Sequence, residues 1–168
     1  MLESLHISQL EIKGEIWTTC FSTEGLMRLW FPDQFQNIEI TQSEEPLPKT
    51  IKSQQTATHK WLSAYLNGKN SNSLSTPLLD LSCGTLFQQK VWQALLKISY
   101  GQTQSYGQIA SAINNPKAVR AAGGACGGNP IPLIIPCHRV LAANRKLGGF
   151  SGGLPWKNRL LALEGIEI

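Results

Sequence analysis

Charge is sparse in this chain, and one half of it has almost no negative charge. Only 15% of the 168 residues are Asp, Glu, Lys or Arg, against roughly a quarter in an average globular protein. With 42% hydrophobic residues, this scarcity excludes a chain kept unfolded by self-repulsion and favours one or two small packed domains. No uncharged apolar run approaches the roughly 20 residues of a membrane-spanning helix. The opening stretch MLESLHISQLEIKGE carries Glu3, Glu11 and Lys13 and has no apolar core, so no secretory signal is expected. The expectation is a soluble, cytoplasmic protein with no membrane partner. Close cysteine pairs are also missing. Cys20, Cys83, Cys126 and Cys137 are scattered, which excludes zinc-ribbon and Cys-x-x-Cys chemistry, and the spacing of His6 and His59 supports no metal site with Cys20 and Cys83. Four free thiols in a reducing compartment are expected, and no metal.

The missing acids are the more informative absence. Residues 83–168 hold nine Lys/Arg against Glu164 and Glu167, a net +7, while residues 1–82 hold six against nine, a net −3. Such asymmetry points to a polyanionic partner on one side of the molecule, although a merely solvated basic face fits the charge alone equally well.

What is present reads as an α+β chain with a small N-terminal domain over residues 1–82 and a mainly helical one over residues 83–168. In the first, EIWTTCFS and GLMRLWF are rich in β-branched and aromatic residues and flank a turn at Ser22–Gly25. NIEIT (37–41) offers a third strand, and EEPLPK breaks regular structure. From about Ser53, Ala57, Trp61, Ala64 and Tyr65 recur at helical spacing, and Gly68 suits the helix end. In the second domain Thr85 with Gln88, and Ser105 with Gln108, form capping-box patterns. Phe87, Val91, Leu95 and Ile98 make an apolar stripe behind the first box. Asn115 and Pro116 suit the start of a further helix, PKAVRAAGGACGG, built almost wholly of Ala and Gly around Arg120. Two short helices around a tight turn make a helix-turn-helix candidate. The small residues allow either close internal packing or close approach of a helix backbone to a nucleic-acid groove. Gly123 and Gly124 each weaken a helix by up to about 1 kcal/mol relative to alanine, so something should offset that cost.

The run IPLIIPCHRV (131–140) sets a cysteine directly before a histidine. A thiol of pKa near ~8.5 is only a few per cent ionised at neutral pH, so a nucleophilic Cys137 needs a base. His138 can take the proton, and a carboxylate can fix the imidazole and stabilise its cation. Glu164, at the end of the apolar LLAL, is better placed for burial than Glu167. The candidate triad is Cys137, His138 and Glu164. Sequence neighbours do not usually point at each other, so a water or a sharp turn is expected between Cys137 and His138. A buried core cysteine is the competing reading.

PCHRV, preceded by GGNPIPLI and followed by LGGFSGGL, together with GTLFQQKVWQALLKI, YGQTQSYGQIA, NPKAVRAAGGA and LLALEG, resembles the O6-alkylguanine-DNA alkyltransferase (methylated-DNA--protein-cysteine methyltransferase) family in register over Gly84–Gly165. The resemblance implies direct-reversal DNA repair. Cys137 would take the alkyl group of O6-alkylguanine, and possible O4-alkylthymine activity is left open. The protein would be consumed in a single turnover and would need no cofactor and no metal. It implies a winged-helix-like C-terminal domain that binds double-stranded DNA through the minor groove, with little sequence specificity, as a monomer that flips the target nucleotide out. Tyr106 would assist the leaving base. Asn129 would join the DNA helix to the active-site segment, and Val140, Phe150 and Ser151 would line the lesion pocket. Arg120 would fill the vacated stack, and Lys117, Ala118, Ala121, Ala122 and Gly123 would meet DNA. Phe150 departs from the family's commoner tyrosine, which bears on substrate range. ISYG replaces a proline-containing version, and AANRK replaces a loop that often has Asp-Gly. Cys137 argues against the alkyltransferase-like proteins, which have tryptophan there. A cysteine hydrolase would turn over and would not need Arg120, and a helix-turn-helix regulator would not need Cys137.

Overall fold

The computed structural model describes residues 5–34 and 46–168. The chain forms two compact units, one of Met1–Lys69 with Ser73–Cys83 and one of Asn70–Asn72 with Gly84–Ile168. The break falls one residue beyond the expected 82/83 boundary, and three connector residues go with the second unit. The fold is α+β, as the sequence indicated.

The first unit is an antiparallel meander, β1 (His6–Ile12), β2 (Glu15–Phe21) and β3 (Leu26–Trp30), ordered β1-β2-β3. Its first hairpin turns on Lys13 (φ 53) and Gly14 (φ 78), the left-handed pair that a two-residue turn matched to strand twist requires. Lys13 Nζ then donates to Leu66 O at 2.8 Å, at the end of helix α1 (Lys49–Leu66), where a cation is favoured. The second hairpin closes as expected, with Ser22 N donating to Gly25 O at 2.9 Å. The α1 helix begins four residues before Ser53, because Pro48, read as a breaker, sits at the N-cap with extended backbone. Its inner face is Ile51, Thr58, Trp61, Leu62, Tyr65 and Leu66. Ala57, expected on that face, is exposed. Gly68 (φ 84) ends the helix, with its N–H on Tyr65 O and that of Lys69 on Ala64 O. The third strand expected at 37–41 lies outside the described residues.

Segment 78–80 lies along β3. Leu26 N donates to Leu78 O and Asp80 N to Leu26 O, both at 2.9 Å. Ser22 Oγ donates to Asp80 Oδ2 at 2.5 Å and Ser82 N to Oδ1 at 2.9 Å. Burial opposes ionisation of Asp80, but these donors outweigh it and lower its pKa.

In the second unit both capping boxes form. Thr85 Oγ1 accepts from Gln88 N, and Ser105 Oγ from Gln108 N, with each glutamine returning the bond. They start α2 (Leu86–Leu95) and α3 (Tyr106–Ala112). The next helix, α4 (Val119–Gly127), starts later than the sequence suggested. Asn115 does not cap it. Pro116 and Lys117 instead form a turn in which Ala118 N donates to Asn115 O at 2.9 Å, the position in a turn that proline's fixed φ suits. Trp92 Nε1 donates to Ala125 O at 2.9 Å and fixes α2 on α4. Strand β4 (Gln104–Ser105) pairs in parallel with β5 (Val140–Leu141), a pairing the sequence did not suggest. The chain ends in α5 (Leu154–Leu163), with Pro155 in its first turn. Among the described residues, no helix is long and apolar enough to cross a membrane.

A Cβ on Gly25 would lie 2.7 Å from Leu78 O, and backbone cannot retreat as a side-chain tip can. Gly25→Ala should therefore lower the unfolding free energy in urea by about 1–3 kcal/mol. An unchanged midpoint would mean that segment 78–80 is free to move away.

Candidate functional site

The apolar run before Cys137 is a buried loop, and one side chain organises it. Buried irregular backbone needs partners for its polar groups. Asn129 Oδ1 accepts from Ile131 N at 3.0 Å, and its Nδ2 donates to Ile135 O at 2.8 Å. The same Nδ2 donates to Cys137 Sγ at 3.0 Å. Cys137 opens a single 3-10 turn, Cys137–Arg139, and is 4% exposed. Burial pushes its thiol up, and the Asn129 hydrogen bond, the charge of Lys157 and the N–H groups of Cys137 and His138 offset this only partly, leaving it at about 11.

His138 is fully buried, with Nε2 2.8 Å from Glu164 Oε1. Burial, helped by the charges of Arg139 and Lys157, lowers its pKa more than Glu164 raises it, so the ring is neutral at pH 7. Glu164 is ionised, which makes Nε2 the donor and Nδ1 the basic nitrogen. Burial would raise the Glu164 carboxyl, but hydrogen bonds and charge from His138 and Arg139 hold it at about 2. Arg139 donates from Nε to Glu164 Oε2 and from Nη2 to Oε1, both at 2.9 Å. It also donates from Nη1 to Ile98 O at 2.5 Å and from Nη2 to Ser71 Oγ at 2.9 Å. Gly101 N donates to Glu164 Oε2 at 3.1 Å. The structure thus brings together Cys137 with Asn129, and His138 with Glu164. The hydrogen-bonded side chain at the sulfur is Asn129, where the sequence pointed to His138.

Tyr106, first residue of α3, is half-buried between α4 and the 147–149 loop. A Cβ on Gly123 would lie 3.7 Å from its ring, and one on Gly148 would lie 3.1 Å from its Oη. Burial, then the nearby Cys126 and Cys137 thiols, raise its pKa, so the phenol stays protonated and can donate. Val140 is buried, Phe150 half-buried and Ser151 exposed. The Cys137 and Val140 carbonyls each accept one hydrogen bond, from Val140 N and from Lys157 Nζ (2.7 Å) respectively. One lone pair remains on each.

Lys157 and Arg139 were not singled out in the sequence. Lys157 is fully buried, and its ammonium donates to Val140 O, Leu147 O and Gly149 O (3.5 Å). It ties β5 to the loop beside Tyr106. Burial lowers its pKa, opposed by Cys137 and Cys126. Its signal lay in α5, where 157, 160, 161 and 164 share a helical face. For Arg139 the signal was a cation inside an apolar run, in a half with only two carboxylates.

On α4 and the turn before it, Lys117, Arg120 and Ala121 are exposed, and Ala118 and Gly123 half-buried. Ala122 is a correction. It is fully buried, because it shares the inner face with Ala125 and Cys126, and its side chain cannot meet a partner. The outer face continues through Gly124 and Gly127, where a Cβ would find nothing within 4 Å. Internal packing explains the inner alanines and leaves these two glycines unexplained. Among the described residues, no cluster of three His, Cys, Asp or Glu gathers as metal ligands do.

The Glu164 carboxyl is held near 2, below its unfolded value of about 4.3. Its stabilisation is therefore complete above about pH 4.3 and is lost as pH falls through about 2. Glu164→Gln leaves Arg139 buried without its anion and should cost about 3–5 kcal/mol at pH 7 in urea unfolding. It should also remove part of the stability lost between about pH 5 and 2. An equal acid loss in both proteins would refute the assignment.

Residues 86–166 match the family model described as 6-O-methylguanine DNA methyltransferase, DNA binding domain. The chain is 55% identical over 102 residues to a methylated-DNA--protein-cysteine methyltransferase of Haemophilus influenzae, a stretch covering 61% of this chain and 56% of that protein. The chain thus spans little more than half the length of that relative, and 54% of one from Mycobacterium leprae. A probable methylated-DNA--protein-cysteine methyltransferase of Acanthamoeba polyphaga mimivirus is matched more fully, at 42% identity over 142 residues, 83% of this chain and 90% of the viral protein. The crystal structure of Mycobacterium tuberculosis OGT in complex with DNA superposes with a TM-score of 0.77 at 38% identity, over 95% of this chain and 92% of that one. With identity at that level running through nearly the full length of the viral and mycobacterial chains, this protein belongs to the methylated-DNA--protein-cysteine methyltransferase family.

Proposed function

We propose that this protein repairs DNA by moving the alkyl group of O6-alkylguanine onto Cys137. The observation that carries the reading is a buried thiol, hydrogen-bonded by Asn129, next in the chain to a neutral imidazole whose carboxylate partner stays ionised. A thiol at about 11 is protonated at rest, so ionisation must accompany the reaction. Cys137 gives its proton to His138 Nδ1, directly or through one water, and Glu164 stabilises the imidazolium. Sγ attacks the alkyl carbon and forms the C–S bond as the C–O6 bond breaks. The departing base takes a proton or hydrogen bond from Tyr106, and the Ser151 N–H assists at O6. The second lone pairs of the Cys137 and Val140 carbonyls can read the exocyclic amine, with Phe150 as a pocket wall. The product is a thioether, which has no good leaving group, so each molecule acts once.

The partner in this reading is double-stranded DNA, bound through the minor groove with α3 and α4 as the helix-turn-helix. The outer face of α4, flat at Gly124 and Gly127 and bearing Arg120, supports close approach to a groove. The target nucleotide must leave the stack, at a cost of a few kcal/mol, and Arg120 fills the gap, with Lys117, Ala118, Ala121 and Gly123 beside the backbone. The C-terminal unit would carry DNA binding and alkyl transfer, and the N-terminal unit would support it. A cytoplasmic monomer fits this role. O4-alkylthymine is a candidate second substrate.

Incubation with excess duplex carrying one O6-methylguanine should add one methylene to the intact mass, mapped to Cys137, and Cys137→Ser should stay unchanged. Repeated turnover would mean a hydrolase, and lesion-selective binding with no mass change would mean a recognition protein. Arg120→Ala should slow transfer from duplex by at least about tenfold, a fraction of the cost of unstacking. It should leave transfer from the free base O6-methylguanine unchanged. Equal slowing on both substrates would remove the stack-filling role.

A further inference from the structure

The first half of the chain is net negative, yet residues 46–79 hold four lysines and no Asp or Glu. Three of those lysines are on α1, at 49, 52 and 60, and all three are exposed. With Ser53, Thr56 and Ala57 they line one surface hollow of ≈ 440 Å³. The spacing 49, 52/53, 56 and 60 is a helical stripe, and it faces away from the buried stripe of Ile51, Thr58, Leu62 and Tyr65. At about 1.5 Å per residue the stripe runs about 16 Å, close to five nucleotide steps of about 3.4 Å along one DNA strand.

Among the described residues of the unit, no carboxylate pairs with these lysines. The α1 helix has no acidic residue in its first turn, where acids are favoured, and carries Lys49 and Lys52 near that end, where cations are disfavoured. Among the described residues the ion pair is that of Glu164 with Arg139, and none involves these lysines. A local rule broken with no compensation among the described residues points to a functional surface. Three cations in line, with the hydroxyls of Ser53 and Thr56 between them, complement a regular row of phosphates.

We propose that the outer face of α1 binds the phosphate backbone of nucleic acid, as a contact of the N-terminal unit in addition to the cations at 117 and 120. The proposal rests on the reading that this protein works on duplex DNA. The contact is sequence-independent and sensitive to salt, since each neutralised phosphate releases counterions.

The test uses the full chain, wild type and Lys49→Ala/Lys52→Ala/Lys60→Ala, with an undamaged fluorescent duplex titrated by anisotropy across about 50–300 mM KCl. The slope of log Kd against log[KCl] should flatten by about 2–3 in the triple variant, at about 0.9 per phosphate, with Kd raised at least about tenfold at low salt. The triple arginine variant should keep the wild-type slope. Methyl transfer from free O6-methylguanine, read by intact mass on the same samples, should be equal in all three proteins. An alanine variant whose slope stays within about 0.5 of wild type overturns the proposal. If transfer is intact in that case, the repair reading stands and the stripe alone fails. A flattened slope in a protein that never methylates Cys137 supports the surface and removes the repair reading. Unchanged DNA slopes with lysine-dependent sedimentation on anionic phospholipid vesicles would assign the face to a membrane and overturn the proposal.

Discussion

The arrangement around Cys137 in the second unit depends on one buried carboxylate. Glu164 sits at the C-terminal end of α5, where the helix dipole disfavours an anion, and its side chain is removed from water. It remains charged because five hydrogen bonds or close polar contacts converge on its two oxygens, from His138, Arg139 and Gly101. Burying two ions costs several kcal/mol each, and their attraction often does little more than offset that cost. What the pair contributes is orientation. With Nε2 committed to Glu164, the His138 ring is fixed in tautomer and direction, and its basic nitrogen is decided. Arg139 links the turn that holds Cys137 to Ile98, in the turn after α2, and to Ser71. His138, Arg139 and Glu164 are thereby held by one network, at the turn that Cys137 opens.

The loop from Asn129 to Cys137 solves a different problem. A thiol presented from a strand or a long helix would have its neighbouring N–H groups engaged in the ladder. Here the Cys137 N–H is shared with Ile135 O at 2.8 Å, and the short 3-10 turn also brings the His138 N–H to where it favours the thiolate. Leu133 in a left-handed conformation (φ 68), with Ile134 N bonded to Pro132 O, shows how sharply the chain must turn to reach that geometry. Such backbone survives only where its surroundings over-determine it, and Asn129 with the fully buried Ile131, Leu133 and Ile135 provides that. Burial also keeps the resting thiol neutral, so the sulfur becomes strongly nucleophilic only when a base removes its proton.

Much of this was legible in the sequence where the signal was local. The two capping boxes placed the starts of α2 and α3, because a side chain and an N–H three residues apart decide them. The Ser22–Gly25 turn was equally visible, and so was the choice of Glu164 over Glu167, since only two acids were available. Boundaries set by proline were misread. Pro48 serves as a helix cap and Pro116 as a turn residue, and the same residue type gives both signals. Tertiary pairings such as β4 with β5 leave no trace in two-residue segments. The inner-face roles of Lys157 and Arg139 were hidden because a cation in a basic half reads as solvated until its helical face or apolar neighbours are considered. Asn129 entered through family resemblance, and no spacing rule would have given its bond to Sγ.

The Ala/Gly helix shows how a compositional signal divides once faces are assigned. From sequence its small residues had two explanations, and both apply to different sides of one helix. The alanines at 122 and 125 are set by packing against α2, where Trp92 bonds to the Ala125 carbonyl. The glycines at 124 and 127 have open space outside them, and each weakens the helix by up to about 1 kcal/mol relative to alanine. A Cβ there would cost nothing within the unit, so internal stability alone would favour alanine. In the proposed function the offsetting term lies outside the unit, in DNA that approaches the backbone more closely than a methyl group would allow. Arg120 projects from the same exposed side. A flat helix face with one long cation fits a narrow, phosphate-lined groove better than it fits an apolar protein surface, which would gain from the very methyl groups that this face lacks.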